Sequence, residues 1–290
     1  SLVILAFLSY NYTSDFFMKG FVIMKINVGF IGAGNMGTAI MKGILNSSLN
    51  NQIQLFAADQ DSLKIEPLKK FGVNKCVNGS EVVSACKYVF LAVKPQVIEG
   101  VLNSIGQKIT DDTVLISIAA GINSDFVKKA TGTNVKTVIV MPNTPLLLNE
   151  GASALAKDSQ VSQQEFDFVC SIFKACGKTA VIDESKMKEI IAVNGSSPAF
   201  IYLYAKGFID YAVKEGIDGE VAKKLFAQSL IGSAKMITDS GYTIDELIKM
   251  VSSPGGTTLA GLEELNKGNL LNTVNNACEA CTKRAYELSK

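Results

Sequence analysis

Residues 28–37 read Val-Gly-Phe-Ile-Gly-Ala-Gly-Asn-Met-Gly, a glycine-rich turn between an apolar strand-like run and a helix-like run. In this pattern Gly32 permits a tight turn, Gly34 lets a phosphate approach the backbone, and Gly37 lets helix and strand pack closely. A second strand-like run follows and ends in Asp59. This spacing is the dinucleotide-binding fingerprint, whose carboxylate accepts hydrogen bonds from the ribose 2′-hydroxyl of NAD and repels the 2′-phosphate of NADP. We therefore expect a dinucleotide cofactor, and Asp59 favours NADH over NADPH.

The alternation of strand-like and helix-like runs continues to about residue 184. The candidate strands are residues 26–31, 54–57, 88–93, 114–118, 137–141, 152–156 and 178–182, and the candidate helices lie near residues 36–46, 61–71, 80–86, 96–107, 123–131 and 162–176. Alternation of this kind predicts an α/β fold with a Rossmann-like, doubly wound, mostly parallel sheet. We assign residues 24–184 to this dinucleotide-binding domain.

Helical periodicity alone fills the rest of the chain, which predicts an all-helical C-terminal domain over residues 185–290. Pro198 lies inside its first helix and should kink or interrupt it. Before the first strand, residues 2–9 are apolar but too few to span a bilayer, and no positive segment precedes them. We interpret residues 1–23 as an extension outside the fold, with a membrane anchor as the alternative.

The composition excludes several classes of function. Lys plus Arg number 28 and Asp plus Glu 27, so no basic excess favours nucleic acid or an anionic membrane as partner. The chain has no histidine, which excludes a histidine-based triad, a histidine-ligated metal and a histidine general acid. The six cysteines form no compact disulfide pattern, which favours a reducing cytoplasm. Cys278 and Cys281 lack the further ligands that a zinc site needs, so we predict no metal.

A second glycine-rich turn lies more than two hundred residues after the first. Residues 252–258 read Ser-Ser-Pro-Gly-Gly-Thr-Thr and precede an apolar-periodic run. A turn that opens a helix aims backbone N–H groups at one point, where the helix dipole also favours negative charge. Two such turns in differently composed halves indicate a cofactor and an anionic small-molecule substrate.

These motifs together resemble the pyrroline-5-carboxylate reductase family, from residue 24 to the C-terminus. The resemblance rests on residues 28–37 and on five further motifs in order: Ala-Val-Lys-Pro-Gln at 92–96, Ser-Ile-Ala-Ala-Gly at 117–121, Met-Pro-Asn-Thr-Pro at 141–145, Gly-Ser-Ser-Pro-Ala-Phe at 195–200 and Val-Ser-Ser-Pro-Gly-Gly-Thr-Thr at 251–258. The resemblance implies reduction of 1-pyrroline-5-carboxylate to L-proline by hydride transfer from NAD(P)H. It also implies a helical domain that interlocks with a second subunit, so that each active site lies near a homodimer interface. Larger rings of dimers occur in the family.

The resemblance also implies site residues. Those around the cofactor are Ile31, Gly32, Ala33, Gly34, Asn35 and Met36 at the pyrophosphate, Asn78 at the adenosine half, and Ala92, Val93, Lys94, Pro95, Ala119, Ala120 and Gly121 on the path to the nicotinamide. The dinucleotide-binding fingerprint itself adds Gly37, which lets helix and strand pack, and Asp59 at the ribose. Those around the substrate carboxylate are Ser253, Gly256, Thr257 and Thr258. Asn143 and Thr144 follow a predicted strand, so we expect them to offer polar groups to the ligand crevice at the carboxyl ends of the strands. Thr258 carries the catalytic role, as an orienting group or as a proton relay through water.

Two residues depart from the family pattern. Asp59 stands where many members have a small polar residue suited to a 2′-phosphate, and Asn194 stands where serine is usual. The alternatives are another NAD(P)-dependent imine reductase or a β-hydroxyacid dehydrogenase, a nucleotide-binding sensor without turnover, and a helical dimerisation module in which residues 253–258 only cap a helix. The β-hydroxyacid dehydrogenase motif needs a Lys with an Asn four residues later, and Lys188 is followed at that spacing by Ala192.

Overall fold

One eight-stranded sheet organises the first two thirds of the protein, whose computed structural model describes residues 25–288. The strand order is β3-β2-β1-β4-β5-β6-β7-β8. The strands are β1 Ile26–Ile31, β2 Ile53–Ala58, β3 Asn74–Lys75, β4 Tyr88–Leu91, β5 Val114–Ser117, β6 Lys136–Met141, β7 Gly151–Lys157 and β8 Gly177–Val181. Neighbouring strands are parallel except β6 and β7, which are antiparallel. The structure thus confirms the doubly wound, mostly parallel sheet, and its order reverses between β1 and β4, where such folds bind ligands.

Helices connect the strands and then fill the C-terminal region. They are α1 Asn35–Leu45, α2 Glu66–Lys69, α3 Gly79–Ala85, α4 Pro95–Ile105, α5 Ser124–Thr131, α6 Gln163–Lys174, α7 Ser197–Lys214, α8 Gly219–Asp239, α9 Ile244–Met250, α10 Thr257–Lys267 and α11 Leu270–Leu288. A π-helical turn, Ile191–Ser196, precedes α7. None of the helices between residues 25 and 288 is long and apolar enough to cross a membrane.

The sheet is buried on both faces, as its near-continuous apolar strands predict. Along β4, Phe90 packs into one apolar cluster and Leu91 into the cluster on the opposite face. The rings of Phe30 and Phe90 stack in the centre of the sheet with their centroids 4.5 Å apart. Packing on both faces therefore fixes the positions of the central strands and of the residues at their carboxyl ends.

The sequence predicts one helix over residues 61–71, after β2, but the structure differs. This segment forms a 3₁₀ turn, Ser62–Lys64, and then the short helix α2. The Asp61 carboxylate accepts a hydrogen bond from the Leu63 N–H (3.2 Å), and Pro67 has no N–H to continue a helix from the preceding turn. The two-residue strand β3 was not predicted, because so short a run carries no alternation.

The C-terminal helices follow the predicted change of character but bury little. Pro198 is the second residue of α7, directly after the π-helical turn, so the expected interruption is present. Only Pro198 and Ala212 are buried in α7, and no residue is buried in the 21-residue helix α8. The expectation for residues 1–23 lies outside the described residues.

Candidate active site

The first glycine turn has the backbone geometry that its sequence predicts. Gly32 has φ +105°, and a Cβ there would collide with the Ala92 carbonyl. A Cβ on Gly37 would lie 2.6 Å from the Gly32 carbonyl oxygen, so a larger residue would push α1 off the turn. A Cβ on Gly34 would meet nothing within 4 Å, so that glycine borders open space. The turn therefore keeps the space in which a phosphate approaches the backbone.

The N–H groups of this turn divide into two sets. Gly32 N–H donates to the Ala58 carbonyl (2.8 Å), and Ala33 N–H donates to Asp59 Oδ2 (2.8 Å). Helix α1 begins at Asn35, and its N-cap, Gly34, provides no side-chain cap. The first-turn N–H groups of α1 are consequently the ones that a bound anion can use.

Asp59 lies at the carboxyl end of β2 and contacts the turn directly. Its Oδ1 accepts hydrogen bonds from the Asp61 N–H (2.9 Å) and from Lys64 Nζ (3.2 Å). Burial acts to raise the pKa of this carboxyl, but the hydrogen bonds from Ala33, Asp61 and Lys64 outweigh it and hold the pKa below its usual range. Asp59 is therefore ionised at neutral pH and held in place beside the cofactor cleft.

A cleft of about 450 Å³ joins the turn to the neighbouring strand ends. Its lining includes the predicted residues Ile31, Gly32, Gly34, Asp59, Asn78, Ala92, Val93 and Lys94, together with Lys64. Asn78 is the N-cap of α3, where its Oδ1 accepts a hydrogen bond from the Glu81 N–H (3.0 Å). Helix α4 begins at Pro95, and Lys94, its N-cap residue, lines this cleft. The structure thus brings eight of the sixteen predicted cofactor residues together around one cleft.

A second cleft of about 420 Å³ lies beyond the ends of β5 and β6. Its lining includes Ala119, Gly121, Met141, Ser124 and Glu184. The Glu184 carboxylate accepts hydrogen bonds from the N–H and the hydroxyl of Ser124 (2.7 and 2.8 Å). No local pattern predicts this pair, because its members are 60 residues apart and Glu184 follows no recognisable motif.

Lys188 also lines the second cleft, and its ammonium lies 4.4 Å from the centre of the Tyr286 ring. The residue four positions later, Ala192, is buried. The cleft therefore lacks the Lys and Asn pair of a β-hydroxyacid dehydrogenase.

Asn143 does not face the crevice as expected, and this corrects the sequence-based prediction. Its Oδ1 accepts a hydrogen bond from the Ala152 N–H (2.8 Å), and its Nδ2 donates to the Asn194 carbonyl (3.1 Å). Only 8% of the residue is exposed. Thr144, in contrast, is exposed at the start of a 3₁₀ turn. The amide of Asn143 thus joins the strand layer to the helical region instead of contacting a ligand.

The second glycine turn lies between α9 and α10. Gly255 adopts φ +71°, Gly256 N–H donates to the Ser253 carbonyl (3.0 Å), and Gly256 caps α10 without a side-chain hydrogen bond. Ser253, Thr257 and Thr258 are exposed. Of the residues that the structure describes, none from 252–258 lines either cleft. The turn therefore presents an open helix N-terminus that does not close on the cofactor cleft of its own chain.

Comparisons with known proteins agree over about nine tenths of the chain. The family model described as pyrroline-5-carboxylate reductase dimerisation matches residues 184–288, and one described as NADP oxidoreductase, coenzyme F420-dependent, matches residues 27–121. The Escherichia coli K12 pyrroline-5-carboxylate reductase is 35% identical over 270 residues, which are 92% of this chain and 100% of that protein.

Two solved structures share the fold. A Plasmodium falciparum pyrroline carboxylate reductase with NADP bound is 32% identical with a TM-score of 0.82, and the match covers 91% of this chain and 98% of that one. A Coxiella burnetii pyrroline-5-carboxylate reductase is 30% identical with a TM-score of 0.85, covering 92% and 99%. The similarity thus extends across the strand layer and the helical region alike.

Proposed function

Because the chain belongs to the pyrroline-5-carboxylate reductase family, we propose which of its residues perform the reaction of that family. The enzyme is an NAD(P)H-dependent oxidoreductase that reduces the C=N bond of 1-pyrroline-5-carboxylate to give L-proline, in proline biosynthesis. The assignment of residues depends on one observation: α1 and α10 both begin without a side-chain cap, so the N–H groups of their first turns are available to an anion.

The residues around the first cleft fit a dinucleotide. The open space beside Gly34 and the uncapped first turn of α1 suit a pyrophosphate, and the fixed carboxylate of Asp59 suits a ribose hydroxyl. Asn78 and Lys94 extend the binding surface within the first cleft, together with Ala92 and Val93, and Ala119 and Gly121 extend it into the second cleft. NAD(P)H, when bound, supplies the hydride. The Plasmodium falciparum relative has NADP bound in its structure, which supports the use of a dinucleotide cofactor.

The second turn suits the substrate carboxylate. The first-turn N–H groups of α10 need an anion or water, since Gly256 offers no side-chain cap, and Ser253 and Thr257 add hydroxyl donors at the same helix end. Thr258 follows in the first turn of the helix. We assign it to the ring nitrogen, where its hydroxyl orients the imine or passes a proton through water.

The reaction needs no strong acid from the protein. An iminium is already electrophilic, so a substrate that arrives protonated requires mainly positioning, which can supply much of a rate enhancement. This matches a chain with no histidine. The turn at 252–258 then provides most of the polar contacts to the substrate.

The turn acts on the cofactor cleft of a second subunit. The chain self-associates through its helical region, whose family model is named for dimerisation. The exposed apolar side chains of α7 and α8, such as Leu203 (71% exposed) and Leu225 (64%), supply the surface for a homodimer. Larger rings of dimers are the further assembly that the resemblance implies. On its near-zero net charge and its cysteine pattern, the enzyme belongs in the cytoplasm without nucleic-acid or membrane partners.

One assay tests the function. The purified protein is incubated with 1-pyrroline-5-carboxylate, and the absorbance of NADH and of NADPH is followed in separate reactions. We expect oxidation of the cofactor with stoichiometric formation of proline, and faster oxidation of NADH because of Asp59. No oxidation of either cofactor would favour the nucleotide-binding sensor, and a strong preference for NADPH would contradict the role given to Asp59.

A further inference from the structure

The junction between the strand layer and the helical region is a short segment with a fixed geometry. The last strand ends at Val181, and the chain then forms the π-helical turn Ile191–Ser196 before it enters α7. Every helix that carries the substrate turn follows this segment. The position of the substrate turn relative to the sheet is therefore set at this junction.

Two asparagines join the junction to the sheet through hydrogen bonds of their side-chain amides. Asn194 Nδ2, within the π-helical turn, donates to the carbonyls of Met141 (2.7 Å) and Ala152 (3.1 Å). Asn143 Nδ2 donates back to the Asn194 carbonyl (3.1 Å), and its Oδ1 accepts from the Ala152 N–H (2.8 Å). The four bonds bridge the point where β6 and β7 separate. We refer to Asn143 and Asn194 as the asparagine clamp.

The chemistry of the clamp requires two donors on one side chain. Asn194 Oδ1 is buried and has no hydrogen-bond partner among the described residues, which is a cost to stability. A serine at this position would avoid that cost, but its hydroxyl has one proton and a shorter reach, so it cannot bond to both carbonyls. The amide is therefore suited to its two donor bonds, although its acceptor is unpaired.

The clamp also touches the floor of the second cleft. A Cβ on Gly195 would lie 3.4 Å from the Met141 sulfur, so the π-helical turn packs against Met141. Met141 lines the second cleft together with Ala119 and Gly121. π-helical turns are rare and occur frequently at functional sites. A shift of this turn would move both the cleft floor and the helices that carry the substrate turn.

We propose that Asn194, held by Asn143, is a positioning residue for hydride transfer: it fixes the helical region relative to the strand layer of its own chain, and so sets the position in which that region presents the substrate turn to the second subunit. This inference rests on the proposed function of the two turns. Misplacement of reacting groups by about 1 Å can lower a rate by about 100-fold. Loss of the clamp should accordingly lower kcat, while the first cleft, which the clamp does not touch and which is assigned to the pyrophosphate and the adenosine half, keeps the affinity for NADH.

The test compares Asn194→Ala with Asn27→Ala. Asn27 Nδ2 donates to the Ala85 carbonyl (2.8 Å), so the control removes the same kind of bond within the strand layer. For Asn194→Ala we expect faster hydrogen–deuterium exchange in peptides covering residues 189–198, a kcat about 10- to 100-fold lower, and a larger deuterium isotope effect from 4-deuterated NADH. The Kd and the stoichiometry of NADH binding, followed by NADH fluorescence, should match wild type. Asn27→Ala should match wild type in kcat, isotope effect and junction exchange.

Other outcomes would overturn the proposal. It fails if Asn194→Ala keeps the wild-type kcat and junction exchange. It also fails if kcat falls only in proportion to the stoichiometry of NADH binding with an unchanged isotope effect, because that indicates partial unfolding. If Asn194→Ala does not fold, Asn194→Ser decides by the same criteria, since it keeps one donor and should show an intermediate loss. Absence of turnover in wild type and in Asn27→Ala would instead contradict the proposed function, and the exchange data would still report on the clamp.

Discussion

The strand layer and the helical region of this chain are built on opposite principles. The strands β1, β4, β5 and β6 bury nearly all of their side chains within one polypeptide, whereas α8 runs for 21 residues without burying one. In the helical region the rings of Phe208 and Phe226 stack at 4.3 Å, yet Phe208 remains 44% exposed. The strand layer thus has a hydrophobic core within one chain, whereas the apolar side chains of the helical region are left exposed for a second subunit to cover.

This difference teaches where each part of the function resides. A complete core can hold a cofactor cleft without help, and the first glycine turn, Asp59 and the strand ends do come together in one chain. The proposed substrate turn lies in the helical region, where little is buried within one chain, and on the proposed function a second subunit covers it. Cofactor binding should thus be a property of one chain, and turnover a property of the assembly.

Breaking the interface should have the largest effect. Leu225→Glu places a carboxylate on the exposed apolar face of α8, and burying it unpaired would cost about 3–5 kcal/mol in the assembly. We expect smaller particles by sedimentation, turnover lower by about 100-fold or more, and NADH binding retained. Phe71→Glu is the control, because Phe71 is also exposed (52%) but lies in the strand layer. If Leu225→Glu formed an assembly of wild-type size with wild-type turnover, the exposed face of α8 would not be part of the subunit interface.

Removing the Thr258 hydroxyl should have the next largest effect. Thr258→Ala should lower kcat/KM by about 100-fold, the range in which single acid–base or polar groups contribute to rate. Thr258 is exposed in the chain, so the free energy of unfolding should change by less than about 0.5 kcal/mol. Thr258→Ser, which keeps the hydroxyl, should retain most of the activity. An unchanged kcat/KM for the alanine variant would remove Thr258 from the mechanism.

Replacing Asp59 should change cofactor preference within the strand layer alone. Asp59→Ser removes a charge that repels a 2′-phosphate, and the ratio of kcat/KM for NADPH to that for NADH should rise by about 10-fold or more. Binding of both cofactors should also weaken, because the hydrogen bond to the Ala33 N–H is lost. Asp61→Ser is the matched control, since its carboxylate instead caps a 3₁₀ turn. Equal ratios for the two variants would refute the reading of Asp59.

Removing the charge of Glu165 should have the smallest effect on function. Burial acts to raise the pKa of this carboxyl, but bonds from Lys136, Lys87 and Ser162 lower it from 4.5 to about 2. Because the folded pKa is depressed, the stabilisation is present above pH 4.5 and is lost as the pH falls through about 2. Glu165→Gln should therefore be less stable at pH 7 by about 2–3 kcal/mol and should equal wild type near pH 2.

Urea unfolding at pH 7, 4 and 2.5 measures this difference, and kcat at pH 7 should stay at the wild-type value. The exposed residue Glu99, on α4, provides the control, because Glu99→Gln removes a carboxylate from the surface. A stability difference between wild type and Glu165→Gln that does not narrow at low pH would contradict the charge-based explanation.

The sequence predicted the strand layer well, because its signals are local. A buried strand, the turn at Gly32 and a carboxylate after β2 each leave a pattern within a few residues. Residues 61–71 were predicted less well, since the capping by Asp61 and the missing N–H of Pro67 compete with helical periodicity. The site residues remain predictions, although the structure gathers many of them around the two clefts.

Contacts between distant segments left no such pattern. The bond from Ala33 to Asp59, the pair of Ser124 and Glu184, and the asparagine clamp join residues 26 to 60 positions apart. The position of Asn143 after a strand predicts that it faces the crevice, but its amide instead bonds to Ala152 and Asn194 at the junction. On the proposed function the cleft that the substrate turn serves lies on another chain, so no local pattern could predict that pairing either.

Subunit complementation tests most directly whether the substrate turn acts on the cofactor cleft of a second subunit. Gly34→Asp puts a carboxylate into the pyrophosphate space without a collision, since nothing lies within 4 Å of a Cβ there, and Thr258→Ala disables the turn. Gly34→Asp alone should be inactive, and Thr258→Ala alone should keep about 1% of the wild-type activity. After the two are dissociated, mixed and reassociated, about a quarter of the sites in a twofold-symmetric dimer should combine an intact cleft with an intact turn, and activity should return to about that level. Activity that stays at the sum of the two separate variants would show that the turn serves its own chain, and would contradict the account.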